Sequence, residues 1–203
     1  MQKCDYCDFY SIADLSLIPA YMDALVVEIE KSARAAGDVQ TVYIGGGTPS
    51  VLSIDQVETI LDCIFGSCNV SGQPEVTLEV NPGTVSADKL NRLSRAGINR
   101  LSLGVQSLND DKLNYLNRIH NGSQAIDMIA NARHAGFDNI SLDFIYGLPG
   151  ESAQSWIREL EQVVAFKPRH LSCYLLTVEP GTPLASRIDK SFEPMPDSRI
   201  QSG

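Results

Sequence analysis

The chain has 203 residues, room for one domain with a sizeable core, and its 43% hydrophobic and 20% charged residues are ordinary for a soluble globular protein. A formal net charge of −9 argues against a protein that tracks nucleic-acid phosphates. No apolar run approaches the ~18 residues of a membrane span, and no apolar stretch of a signal peptide follows Met1-Gln2-Lys3-Cys4, so a cytoplasmic location is expected.

Cys4 and Cys7 open the chain as a CxxC pair; five cysteines, an odd number, do not make a secreted disulfide framework. An amphipathic helix is then predicted over Pro19–Ala36, closed by Gly37. A strand over Thr41–Ile44 runs into Gly45-Gly46-Gly47-Thr48-Pro49-Ser50. The next helix, Ser53–Phe65, carries a capping box in Ser53 and Gln56. Strand Glu75–Val80 leads to helix Ser86–Arg95, and strand Arg100–Val105 to helix Ser123–Ala135. Strand Asn139–Phe144 leads to helix Ser152–Phe166, and His170–Leu176 is the last strand. No solenoid repeat or low-complexity tract interrupts this order. Strand and helix alternating without a reversal predict an α/β fold with a parallel sheet. Part of a TIM-type barrel is the leading form and a doubly wound open sheet the alternative.

In both folds function sits at the C-terminal ends of the strands. Three glycines after the first strand let a backbone approach a ligand, or simply form a tight turn. Glu79 stands in an otherwise apolar strand, where a carboxylate is costly unless paired or bonded to a ligand; an outward-facing charge fits the alternation equally. Gln106 offers a donor and an acceptor at the end of the third strand, and Asp143 repeats the lone acid in the fourth. Successive strands ending in polar groups or glycine turns point to one shared site. The chemistry of Cys4-Asp5-Tyr6-Cys7 stays open on spacing alone. A redox pair, a zinc site completed by Cys63 and Cys68, and an iron–sulfur site needing a third thiolate all compete.

Cys4-Asp5-Tyr6-Cys7-Asp8-Phe9-Tyr10-Ser11 resembles the last two cysteines, and the continuation, of the CxxxCxxC loop of radical S-adenosylmethionine (SAM) enzymes of the oxygen-independent coproporphyrinogen III oxidase type. Further motifs follow in that family's order: Gly45 to Ser50, Glu79-Val80-Asn81-Pro82, Gly104-Val105-Gln106-Ser107 and Leu116-Asn117-Arg118-Ile119-His120. Asp143 with Tyr146-Gly147-Leu148-Pro149-Gly150, and Leu176 to Thr182, complete the set. The oxidase carries a further cysteine where this chain has Phe9, so the resemblance favours the haem-chaperone branch.

The resemblance implies a partial (βα)6 barrel lacking its first strand, with the first cysteine of the loop one position upstream of Met1 and both ends of the family's length missing. The core spans 1–193, 194–203 is a loose end, and the family's C-terminal domain is absent. It implies that Cys4 and Cys7 are two of three thiolates of a [4Fe–4S] cluster, the open iron chelated by SAM. Tyr6 resembles the aromatic near the adenine, and Gly46, Gly47 and Thr48 the loop holding the methionine end. Glu79, Gln106, Arg118 and Asp143 match SAM-contacting positions. Arg118 suits a carboxylate, Asp143 a ribose hydroxyl, and Thr177 the place where the sixth strand's backbone meets the adenine.

The implied chemistry is reductive cleavage of SAM to methionine and a 5′-deoxyadenosyl radical that abstracts hydrogen. The implied partners are SAM, haem or porphyrin, and an electron donor, with no nucleic acid. A cluster-free SAM- or haem-binding remnant is the competing reading. His120, His134 and His170 are expected as surface or loop histidines, and Cys173 as a small hydrophobe packed in the last strand.

Overall fold

The computed structural model describes residues 3–191, so the expected loose end at 194–203 lies outside the described residues. Among the described residues, five strands form one parallel sheet in sequential order. They are β1 (Asp38–Ile44), β2 (Asn69–Val80), β3 (Arg100–Gln106), β4 (Asn139–Tyr146) and β5 (His170–Leu175). Order without a switch point excludes the doubly wound alternative and leaves the partial barrel, curled into an open half.

Seven α-helices among the described residues accompany the strands: α1 (Ile18–Ala33), α2 (Ile54–Ser67), α3 (Ala87–Arg95), α4 (Asp110–Tyr115), α5 (Gly122–His134), α6 (Ala153–Ala165) and α7 (Pro183–Ser191). Local chemistry sets most of their starts. Ser53 with Gln56, Asn121 with Gln124, and Ser152 with Ser155 form reciprocal capping boxes for α2, α5 and α6, and Ser86 caps α3. Two helices lie outside the predicted set. The six residues of α4 are too few to show a 3.6-residue period, although Asn109 caps it, and α7 follows a Pro-Gly-Thr-Pro stretch that reads as loop. β2 begins six residues before the predicted start, across Gly72 and Pro74. The sheet absorbs that interruption as a register shift between Val39 and Thr41 of β1.

Register decides which face of the sheet is apolar. Thr77 pairs with Arg100, Glu79 with Ser102, Ser102 with Ser141, and Asp143 with Ser172. Paired residues point the same way, so one face is polar across four strands. The alternate residues Leu78, Leu101, Leu103, Ile140, Leu142 and Phe144 are fully buried on the other face, against Leu61, Leu90, Leu93, Met128 and Val163 of the helices. Each such side chain contributes ~1.5–3 kcal/mol on burial. The main core therefore lies between sheet and helices, and the opposite, concave face is left for polar chemistry. A second, smaller cluster of Leu116, Ile145, Leu148, Leu176 and Leu184 sits at the strand ends.

Candidate cofactor site at the strand ends

The Cys4–Cys7 segment is a turn closed by the Cys7 amide on the Cys4 carbonyl at 3.2 Å, and both thiols are free and half-buried. Asp5 moors it. Its carboxylate accepts from Asn117 Nδ2 at 2.7 Å and from Arg187 of α7 at 3.3 Å, and its carbonyl accepts the Leu184 amide at 3.0 Å. Tyr6 packs on the smaller apolar cluster, and burial pushes its phenol up to about 12 against the opposing pull of Arg118.

Arg118 is the hub. Its Nη1 donates to Cys4 Sγ and to Tyr6 Oη, both at 3.3 Å, and its Nη2 to Asn81 Oδ1 at 2.6 Å and the Gly104 carbonyl at 2.7 Å. Its Nε is buried with no partner. Asn81 passes the link on, its Nδ2 donating to Thr48 Oγ1 at 3.2 Å. Glycine is required at 104 by close approach: a Cβ there would stand 2.6 Å from Asn81 Oδ1 and 3.4 Å from Arg118 Nη2. Gln106, whose Nε2 lies 3.1 Å from that same Cβ position, ends β3 after a register shift in a left-handed conformation, φ +66°.

Glu79 is on the concave face. Its carboxylate accepts Tyr43 Oη at 2.9 Å and the Gly46 amide at 3.2 Å, so it holds the triple-glycine loop against β1. Burial, then the bond to Glu79, pushes the Tyr43 phenol up to about 12. Gly46 and Gly47 have positive φ and open space where a Cβ would be, so nothing crowds that side of the exposed loop. Asp143 accepts Ser102 Oγ at 3.1 Å; burial raises its pKa, and hydrogen bonds from Ser172 and Ser102 partly offset the rise. On α3, Lys89 pins the far end of the glycine loop by donating to the Ser50 and Leu52 carbonyls, each at 2.6 Å.

The structure thus brings Cys4, Tyr6, Thr48 and Arg118 into one hydrogen-bonded chain. Glu79 and Gly46 join it through the glycine loop, and Gly104 brings Gln106 beside it. Thr177 stands apart: β5 ends at Leu175 instead of Leu176, and the Thr177 side chain is exposed, bonded to the Leu175 carbonyl at 3.3 Å. His120 lies in the loop after α4, as expected, but is buried there, 4% exposed. Its Nε2 lies 3.0 Å from the Val105 carbonyl and its Nδ1 has no partner. Cys173 is likewise exposed instead of packed, because β5 is an edge strand of the described sheet. Cys63 lies in α2 and Cys68 caps it, and among the described residues no group of three or more His, Cys, Asp and Glu side chains is placed to hold a metal. That removes the four-cysteine zinc site. Sequence reasoning missed the roles of Asn81, Tyr43 and Ser102. Their partners are 31 to 41 residues away and leave no local pattern, although all three lie in or beside the motif strands.

The model of the radical SAM superfamily matches residues 1–163. The chain belongs to the radical SAM superfamily. It is 41% identical over 191 residues to the haem chaperone HemW of Escherichia coli (strain K12), covering 92% of this chain and 50% of that one. It is 33% identical over 202 residues to the mitochondrial radical S-adenosyl methionine domain-containing protein 1 of Bos taurus, covering 98% and 46%. The structure of coproporphyrinogen III oxidase (HemN) from Escherichia coli, described as a radical SAM enzyme, superposes with TM-score 0.86 at 28% identity, covering 99% and 47%. The expected resemblance is therefore borne out, and this radical SAM chain spans about half the length of the curated relatives it matches. No helix of the described residues is long and apolar enough to cross a membrane.

Proposed function

We propose that this radical SAM chain contributes Cys4 and Cys7 to a [4Fe–4S] cluster and binds SAM along the ends of β1 to β4, within a protein of haem or porphyrin metabolism. The observation that carries the reading is Arg118, which ties a cluster-ligand thiol to the strand-end loops and keeps one buried donor, Nε, unspent. The donor set fits: two free thiols for iron, an uncrowded glycine loop, and polar groups converging from three strands. When bound, the cluster and SAM would supply a carbon-centred radical made by one-electron cleavage of the sulfonium.

The chain's own residues bind and orient. The Gly47–Thr48 backbone would meet the methionine end, the Gly46 amide being held by Glu79, while Arg118 would offer its unspent Nε–H to a carboxylate oxygen. Asp143 and Gln106 offer acceptors and a donor to the ribose and adenine side. Tyr6, half-buried beside Cys4, would shield that side of the site from water. Thr177 would act through its backbone, since its side chain is turned to solvent. The haem-chaperone branch is favoured over the oxidase by Phe9 in place of a further cysteine and by the higher identity to HemW than to HemN.

The test is anaerobic reconstitution with iron and sulfide, of the chain as it stands and of the chain joined to an upstream strand and cysteine. Iron content, the reduced-cluster EPR signal and 5′-deoxyadenosine from SAM are measured. Cluster and SAM cleavage in the extended form carry the reading. An extended form that binds no cluster leaves the cluster-free ligand-binding remnant as the better account. Haem transfer is tested separately, by the visible spectrum of added haem with and without an apo-acceptor.

A further inference from the structure

A second polar cluster lies behind the strand ends, on the helix side of the sheet. Lys112 of α4 sits between two carboxylates, Glu151 in the loop after β4 and Glu159 of α6. The side chains are 13%, 1% and 6% exposed. Two acids and one base in so dry a place are costly unless each oxygen is bonded, and here each is. Glu159 accepts from the Ser107 hydroxyl, from the Leu108 amide at 2.6 Å and from Lys112 at 2.5 Å. Glu151 accepts from Lys112 and from the amides of Gly147 and Leu148. The Lys112 ammonium also lies 5.8 Å from the ring centre of Trp156, which stacks on Tyr146 at 5.4 Å.

The side-chain hydrogen bonds of this cluster beyond its own members end in two loops, and its ammonium faces a ring stacked on Tyr146 at the end of β4. Residues 107–108 follow Gln106, and residues 146–148 follow Asp143 and belong to the Tyr146–Gly150 motif. Gln106 is held at φ +66°, a region that non-glycine residues enter only when their surroundings fix them, and Ser107 is its neighbour in the chain. A buried ion cluster is a poor way to gain stability, since apolar residues of the same volume do as well. It is a good way to impose one geometry on two loops at once.

We propose that Lys112, Glu151 and Glu159 form a buried clamp that positions the Gln106 and Tyr146–Gly150 loops for SAM. These are positioning residues, and the proposal rests on the SAM reading above. The clamp explains why α4, only six residues long, is present between β3 and α5: it delivers one ammonium to the point where both loops meet.

The test uses Glu159→Gln, which leaves Lys112 balanced by Glu151 and keeps an acceptor for Ser107, together with Lys112→Arg and Lys112→Met. Amide hydrogen exchange at Leu108, Gly147 and Leu148 is read in the chain itself. SAM affinity, iron content and the unfolding midpoint are read in the reconstituted protein. Glu159→Gln is expected to speed exchange at those amides and to weaken SAM binding about tenfold at unchanged iron content and midpoint, with Lys112→Arg between it and the parent. Faster exchange with unchanged SAM affinity, or unchanged exchange, overturns the clamp as a positioning device. Lys112→Met leaves two buried acids facing each other and is the variant at risk of misfolding, so Glu159→Gln decides. If the parent protein itself binds no SAM, the cofactor reading fails and takes this one with it; a parent that binds SAM beside a Glu159→Gln that binds equally well sinks the clamp alone.

Discussion

Arg118 Nη1 stands 3.3 Å from the sulfur of Cys4, across 114 residues of chain, while its Nη2 holds Asn81 and the Gly104 carbonyl. One guanidinium thus joins the N-terminal cysteine turn to the ends of β2 and β3. A fork of donors at fixed angles does this; a single ammonium cannot.

Arg118→Lys should therefore keep the charge and lose the function. Two charge-assisted bonds to half-buried acceptors go unmade, each of the order of ~1.5–3 kcal/mol. The expected outcome is SAM affinity down by at least about tenfold, with a lower urea midpoint. Equilibrium dialysis with SAM and a denaturation curve on the same preparation check it, and an Arg118→Lys protein that binds SAM like the parent contradicts it.

Gly104→Ala tests the same junction from the backbone side. The added methyl would meet Asn81 Oδ1 at 2.6 Å and crowd Gln106. Overpacking of this kind costs ~1–3 kcal/mol, and here it also pushes Asn81 off Arg118. Gly97→Ala is the control, with open space for a methyl but a positive φ, and is expected to cost only ~1–2 kcal/mol of backbone strain without changing SAM affinity.

The two cysteine pairs should separate cleanly. Cys4→Ser or Cys7→Ser is expected to abolish iron loading in the reconstituted protein. Cys63→Ser and Cys68→Ser should leave it intact, since those side chains lie on α2 and at its end. Iron and sulfide assays on the four variants are the measurement. Equal loss in all four would bring back a site built from both pairs.

His120 gives a pH dependence with a definite sign. Burial, reinforced by the Arg118 charge and opposed by the bond to the Val105 carbonyl, pushes its pKa down to about 4 from 6.5. The unfolded chain therefore binds the proton first, and stability held above pH 6.5 is lost as pH falls toward 4. At 1.36 kcal/mol per unit this amounts to ~3 kcal/mol. Urea midpoints at several pH values between 7 and 4.5 should show the loss in the parent and a flatter profile in His120→Asn. An equal slope in both would assign the loss to the carboxylates instead.

Much of this protein was legible in the sequence because the signals are local. Capping boxes such as Ser53 with Gln56 and short apolar strands between amphipathic helices set the βα order before any packing is known, although α1 ends at Ala33 with Arg34 as its cap, short of the expected Gly37. The glycine loop and the cysteine turn were equally plain, each a contiguous run of residues. What the sequence left open was direction and distance. Glu79 fits an inward or an outward face by alternation, and only strand register, Glu79 beside Ser102, turned it onto the concave side. His120 looked like a loop histidine, and only the packing of the loop after α4 under β3 buried it. Arg118 with Cys4, and Lys112 with Glu151 and Glu159, join residues 39 to 114 positions apart. Pairing at such separations follows from how the helices stack on the sheet. The sequence by itself determined most of the elements, α4 and α7 excepted, because hydrogen bonding and hydrophobic period act over a few residues. The tertiary structure alone decided which polar groups meet, because that depends on register and on the curl of the whole sheet.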